Sequence, residues 1–204
     1  MAEHAARLHT ELAQGLTPHH RLHSAGLQIL VETLAGRWNA VQELTVEGER
    51  AVDANADTPC AQNVTTLLHL ALASAYRGDE AEARRLEAKA DAIGMMGYRP
   101  WFEPPRIRLA LAHNDLMALP ALVSGGYLQL EPPAAYLDAL LALGDRDRIE
   151  EEAPKWLTPG IYAEPFALRA LGKVRGDRAL IDQALERFEV LQLPWHAEQT
   201  RHLL

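Results

Sequence analysis

Ala75-Tyr76-Arg77-Gly78-Asp79-Glu80-Ala81-Glu82-Ala83-Arg84-Arg85-Leu86 is the stretch on which the fold turns. Before it, Val64, Leu67, Leu68, Ala71 and Ala75 advance by three and four, which draws one apolar stripe along a helix. After it, Ala83, Leu86, Ala90 and Ile93 keep the same spacing, with Glu80, Glu82, Arg84, Arg85, Glu87 and Lys89 on the other faces. Gly78 is predicted to end the first helix at positive φ, where a Cβ clashes, and Asp79 to cap the second. The stretch therefore reads as an antiparallel helix pair.

Working outward, the same arrangement recurs. Leu27, Leu30, Val31 and Leu34 lead into Gly36-Arg37, then Trp38, Val41 and Leu44. Ile107, Ala110 and Leu111 lead into Asn114-Asp115, then Leu116, Leu119 and Leu122. Tyr136, Leu137, Leu140 and Leu141 lead into Gly144-Asp145, then Ile149 and Ala153. Ala167, Ala170, Leu171 and Val174 lead into Gly176-Asp177, then Leu180, Ile181, Ala184, Leu185, Phe188 and Leu191. The turn positions 36, 78, 114, 144 and 176 are 42, 36, 30 and 32 residues apart, bracketing a 34-residue helical-repeat period. Gly15, with Ala5, Leu8 and Leu12 before it, reads as a partial repeat or an N-terminal cap.

Proline marks the breaks between pairs, at Thr17-Pro18, Thr58-Pro59, Pro100 to Pro105, Pro132-Pro133, Thr158-Pro159, Pro165 and Pro194, and Thr-Pro is predicted to open a helix. Pro120 predicts a short or kinked helix between Leu116 and Val123, and residues 94–102 read as an aromatic, glycine-containing linker. A lone helix pair cannot bury its own apolar face, so neighbours must stack on it. The expectation is an all-α chain forming one domain over residues 1–204, an α-α superhelix. It would be a tetratricopeptide-like right-handed solenoid of about five antiparallel pairs. A globular bundle of the same helices is the competing architecture.

The composition fits. The 204 residues are 48% hydrophobic but only 6% aromatic, which favours helix over strand. A net charge of -8, from 20 basic and 28 acidic side chains, argues against a broad phosphate-binding face, so nucleic acid is not expected as a partner. The apolar run from Leu67 to Tyr76 is broken by His69 and is far shorter than a membrane span. Met1-Ala2-Glu3-His4 has no signal-peptide core, and the single cysteine, Cys60, forms no internal disulfide. A cytoplasmic protein without membrane contact is expected.

Two stretches carry a resemblance. Residues 75–86, quoted above, are one. The other is the ending: Arg175-Gly176-Asp177, Ala184, Arg187-Phe188-Glu189, Leu193-Pro194-Trp195-His196-Ala197, Gln199-Thr200-Arg201 and Leu203-Leu204. Together they resemble the tetratricopeptide-like regions of large bacterial ATP-dependent transcriptional regulators and of cyclase-associated regulators. The resemblance implies a helical scaffold for partners or inducers. The ATPase module of those regulators is missing from it: in the one Gly-Lys pair, Gly172-Lys173, Ala167 replaces the first phosphate-loop glycine and Val174 the Ser/Thr. The scaffold portion alone is what the resemblance leaves.

No catalytic grouping emerges. Five of nine histidines lie in the first 23 residues: His4, His9, His19, His20 and His23. His19 and His23 are four apart and could share a helix face, one way to begin a metal site, yet no HExxH accompanies them. A solvated or partner-facing helix is the reading adopted. Ser24, Ser74 and Ser124 lie outside any Gly-x-Ser-x-Gly elbow, and Cys60 sits at a predicted helix start, where the helix dipole can lower a thiol's pKa. Glu150-Glu151-Glu152 and the acids at 145 and 147 lie among arginines as a solvated face, and no dinucleotide fingerprint occurs. The expectation is a non-enzymatic interaction or regulatory scaffold with no cofactor and no metal, docking a partner peptide or helix in a concave groove. The alternative is a small-molecule sensor domain of a transcriptional system. The candidate partner-binding residues are Thr65, Leu72, Tyr76, Trp101, Phe102, Asp138, Phe166 and Lys173, with a homodimer through an apolar terminal repeat also expected.

Overall fold

A computed structural model describes residues 2–124 and 133–204. Pro132, one of the prolines named above, lies outside the described residues. The chain is all-α, with no strand among the described residues, and it divides into two compact units, Met1–Ala112 and His113–Leu204.

The first unit contains α1 (Ala2–Ala13), α2 (Pro18–Leu34), α3 (Trp38–Glu43), α4 (Thr45–Ala54), α5 (Ala61–Tyr76), α6 (Glu80–Ile93) and α7 (Arg99–Ala112). Helix α5 is its axis. Every residue of 63–74 is buried, because α2, α3, α4, α6 and α7 all pack on it. The second unit contains α8 (Leu119–Val123), α9 (Ala134–Leu143), α10 (Arg146–Glu152), α11 (Glu164–Arg175), α12 (Arg178–Val190) and α13 (Pro194–Arg201). There α11 is buried over 164–172 by α9, α10 and α12, and α12 packs in turn on α13.

The turns form as their chemistry demands. Gly36, Gly78, Asn114, Gly144 and Gly176 all have positive φ. At Gly78 the backbone N–H donates to Ala75 and that of Asp79 to Ser74, closing a Schellman turn. The same pair of bonds recurs at Gly36, Gly144 and Gly176. Asp79, Asp145 and Asp177 then cap the next helix, accepting from the backbone N–H of Glu82, of Arg148, and of Ala179 and Leu180. A turn of the same kind that the reading missed lies at Leu191-Gln192-Leu193: Gln192 has φ 58°, and Leu193 N–H donates to Phe188.

Several local expectations are corrected. The buried face of α2 is Leu22, Ala25, Ile29 and Thr33 rather than the Leu27, Leu30, Val31, Leu34 stripe, because Gly26 on that side admits α5 closely. A Cβ at Gly26 would lie 2.0 Å from Gln62 Nε2. The segment after Gly36 is two helices, α3 and α4, meeting at Leu44. The linker over 94–102 ends early: Trp101 and Phe102 are inside α7, as are Pro104 and Pro105. These prolines are the sixth and seventh of its 14 residues, where each removes an internal backbone donor, and the helix is held to α5 by buried Phe102, Ile107, Leu109 and Ala110. Thr58-Pro59 and Thr158-Pro159 do not open helices, since α5 is capped at Cys60 and α11 begins at Glu164 with Pro165 in its first turn. Pro120 does sit in a short helix, α8.

Charged side chains predicted on the outer face of α6 do more than pair along it. Arg85 binds Glu49 of α4 at 2.5 Å as well as Glu82, and Lys89 reaches Glu49 and Asp53 at 2.9 and 2.8 Å. The Arg85 hydrogen bond holds the Glu49 carboxyl below its usual range. No helix among the described residues is long and apolar enough to cross a membrane.

Candidate functional site

The eight candidate partner-binding residues separate by burial. Thr65, Leu72, Phe102 and Phe166 are core residues. Counting helical positions assumes one buried face, whereas α5 and α11 are enclosed on every side, so the positions expected to line a groove face neighbouring helices instead. Thr65 turns its hydroxyl to the Ala61 carbonyl at 3.3 Å, and Phe166 stands edge-on to Phe188 with centroids 4.9 Å apart. Tyr76 is half-buried and stacks on Trp38 at 4.5 Å. Asp138 is an internal counter-ion, paired with Arg169. Trp101 and Lys173 are exposed. Lys173 Nζ donates to the Leu203 carbonyl at 3.4 Å, and Trp101 is accompanied one turn earlier by exposed Tyr98.

Arg169 itself escaped the sequence reading. Its guanidinium is buried, pairs with Asp138, donates to Thr200 Oγ1 at 3.2 Å and stacks 5.1 and 5.3 Å from the Phe166 and Phe188 ring centres. Nearby Glu164, also buried, accepts from Gly160 N–H at 2.7 Å and from Arg187 Nε at 3.1 Å. These ties fix α11 to its neighbours.

A different cluster lies in the first unit, where the N-terminal end of α2 meets the first turn of α5. His19 and His23 are one helical turn apart, so their rings stand on one face with centroids 4.5 Å apart. Cys60, the N-cap of α5, brings its Sγ to 3.6 Å from His23 Nε2. The ligand-capable atoms of His19, His23 and Cys60 all lie within 4.8 Å of one another. The contact bridges 37 residues of sequence.

Two local features hold the cluster. Gly26, one turn beyond His23, lets α2 approach Gln62 and Thr66 of α5. The loop carrying Cys60 is fixed by a buried pair of asparagines: Asn63 Oδ1 accepts from Cys60 N–H at 2.9 Å and from Asn55 Nδ2 at 3.0 Å, while Asn63 Nδ2 donates to the Val52 carbonyl. Cys60 is thus held by its backbone, half-buried against the core, with its thiol within reach of His23. Partial burial, and then the neighbouring His19, His20 and His9 rings, lower the His23 pKa, which favours the neutral imidazole whose lone pair can bind or accept.

No known protein family, curated protein or solved structure matches this chain. Its functional reading therefore rests on these residues.

The i, i+4 spacing of His19 and His23 was visible in the sequence, and so was the placement of Cys60 at a helix start. What was missing was the adjacency of α2 and α5, which the packing of the two helices supplies.

Proposed function

We propose that this protein is a non-enzymatic interaction scaffold, a tetratricopeptide-like superhelix of stacked hairpins that docks a partner peptide or helix. The observation that carries this reading is the packing of the hairpins. In the first unit α5 rests on α6, its own partner, and also on α2 and α4 before it and α7 after it. In the second, α11 rests on α12, on α9 and on α10. First helices enclosed by their own pair and by the adjoining one are what stacked repeats require, since each pair lacks the surface to bury itself. Such stacks commonly serve to present side chains on a rigid frame.

Tyr98, at the end of the turn before α7, and Trp101, in the first turn of α7, are each 47% exposed and are the anchors of choice, being aromatic and set beside a helix locked by Phe102 and Leu109. The chain's net charge of -8 favours a partner segment with basic residues around an apolar centre. A photo-crosslinking amino acid placed at Trp101 in cells that make the protein tests this. One dominant adduct is expected, lost when Tyr98 is changed to Ala. Labelling no stronger or more selective than at exposed Arg178 overturns the scaffold reading.

A further inference from the structure

We propose that His19, His23 and Cys60 form a binding site for a borderline divalent transition metal, with Zn²⁺ the natural occupant. The donor set carries the identity. Two imidazoles and a thiolate suit Zn²⁺ and its neighbours, whereas Mg²⁺ and Ca²⁺ seek oxygen. Metal bonds of about 2.0–2.1 Å to imidazole nitrogen and about 2.3 Å to sulfur put tetrahedral ligand atoms about 3.3–3.6 Å apart. Cys60 Sγ and His23 Nε2 already stand at 3.6 Å, and no pair in the trio exceeds 4.8 Å. His19 is exposed, so its ring closes the remaining gap by side-chain rotation.

The frame is built from both sides. Two ligands come from one turn of α2, and the third comes from a loop pinned by Asn55 and Asn63, so the backbone positions do not depend on the ion. Three protein ligands leave a fourth position to water or an outside group. Binding takes a proton from the Cys60 thiol into solvent and consumes the lone pairs of two neutral rings. The site is distinct from the aromatic surface of α7 and does not rest on the scaffold reading.

The full chain, freed of any affinity tag and of bound metal, is titrated with Zn²⁺ by calorimetry and with Co²⁺ by absorbance. Expected are one ion per chain at micromolar affinity or tighter, and a thiolate-to-cobalt charge-transfer band that disappears in C60S. H19A and H23A each weaken binding roughly tenfold or more, since even outer-shell changes cost that much. H202A, on exposed α13-end His202, leaves it unchanged. Zn²⁺ also protects Cys60 from iodoacetamide. Circular dichroism of the metal-free variants checks that they fold, as the exposure of His19 and His23 and the near-isosteric change at half-buried Cys60 permit. Absence of binding by the folded chain, an H19A/H23A/C60S triple variant that binds as the native chain does, or alkylation of Cys60 unaffected by Zn²⁺ overturns the proposal. The last two outcomes would assign His23 and Cys60 to simple surface contact.

Discussion

Helices α5 and α11 occupy equivalent places, each the buried first member of a hairpin, yet they solve the polar problem of burial in opposite ways. Helix α5 is apolar through its middle, with Leu67, Leu68, Leu70, Ala71, Leu72 and Ala73 in the core, and the one ionisable group of its buried stretch 63–74, His69, is 4% exposed with no hydrogen-bond partner for Nδ1 among the described residues. Desolvation lowers the His69 pKa to about 4, so it stays neutral. Helix α11 buries a full charge, Arg169, and answers it with Asp138, Thr200 and two aromatic faces. Complete enclosure therefore tolerates either a neutral side chain or a compensated ion, and an uncompensated one is what each helix avoids.

The sharpest way to break that contrast is to remove the compensation from α11. Asp138→Ala leaves Arg169 buried without its carboxylate and should cost about 3–5 kcal/mol in denaturant unfolding. The companion D138L/R169M variant, which removes both charges, should recover most of that loss. A loss under about 1 kcal/mol in the single variant would show that water reaches Arg169.

Acidification breaks α5 instead. The folded-state His69 pKa lies below the unfolded value, so the unfolded chain binds the proton first as pH falls. The contribution of neutral His69 is intact above about pH 6.5 and is lost as pH falls from there to about 4, at about 1.4 kcal/mol per pH unit and about 3 kcal/mol in all. Subtracting the stability–pH curve of His69→Leu from that of the native chain isolates this slope, and parallel curves would refute it. At neutral pH the same substitution should be neutral or stabilising, because it removes a buried unsatisfied nitrogen.

The smallest effects lie at the helix ends, where the two helices agree. Gly78 after α5 and Gly176 after α11 both hold φ near +70 to +80°, and a Cβ at either would meet nothing within 4 Å. Gly78→Ala and Gly176→Ala should each cost about 1–2 kcal/mol from backbone strain alone. Gln192, in the same conformation after α12, should do the reverse: Gln192→Gly gains about 0.5–1 kcal/mol in thermal unfolding.

The legible part of the fold was the local part. Glycine–aspartate pairs at 78, 144 and 176 and Asn114-Asp115 announced turns because backbone sterics and a capping carboxylate act within a few residues of themselves. The apolar stripe of α6, Ala83, Leu86 and Ala90, was legible for the same reason: one side of that helix faces the core and the other carries the ion pairs. Leu8 and Leu12 show where such reading fails. They fit a helical stripe, but α1 meets α2 through Ala6 and Ala13, leaving the two leucines 48% and 70% exposed. Apolar spacing marks a face without saying whether a neighbour covers it.

Alone, the amino-acid order determined helical class, hairpin punctuation and the capping of α6, α10 and α12, because those follow from torsion angles and hydrogen bonds between residues close along the chain. Only tertiary structure decided that Leu72 and Phe166 lie inside, that Asp138 answers Arg169, and that His19 and His23 meet Cys60. Each of these depends on which helices pack together, and packing is settled by the summed burial of many side chains rather than by any short segment.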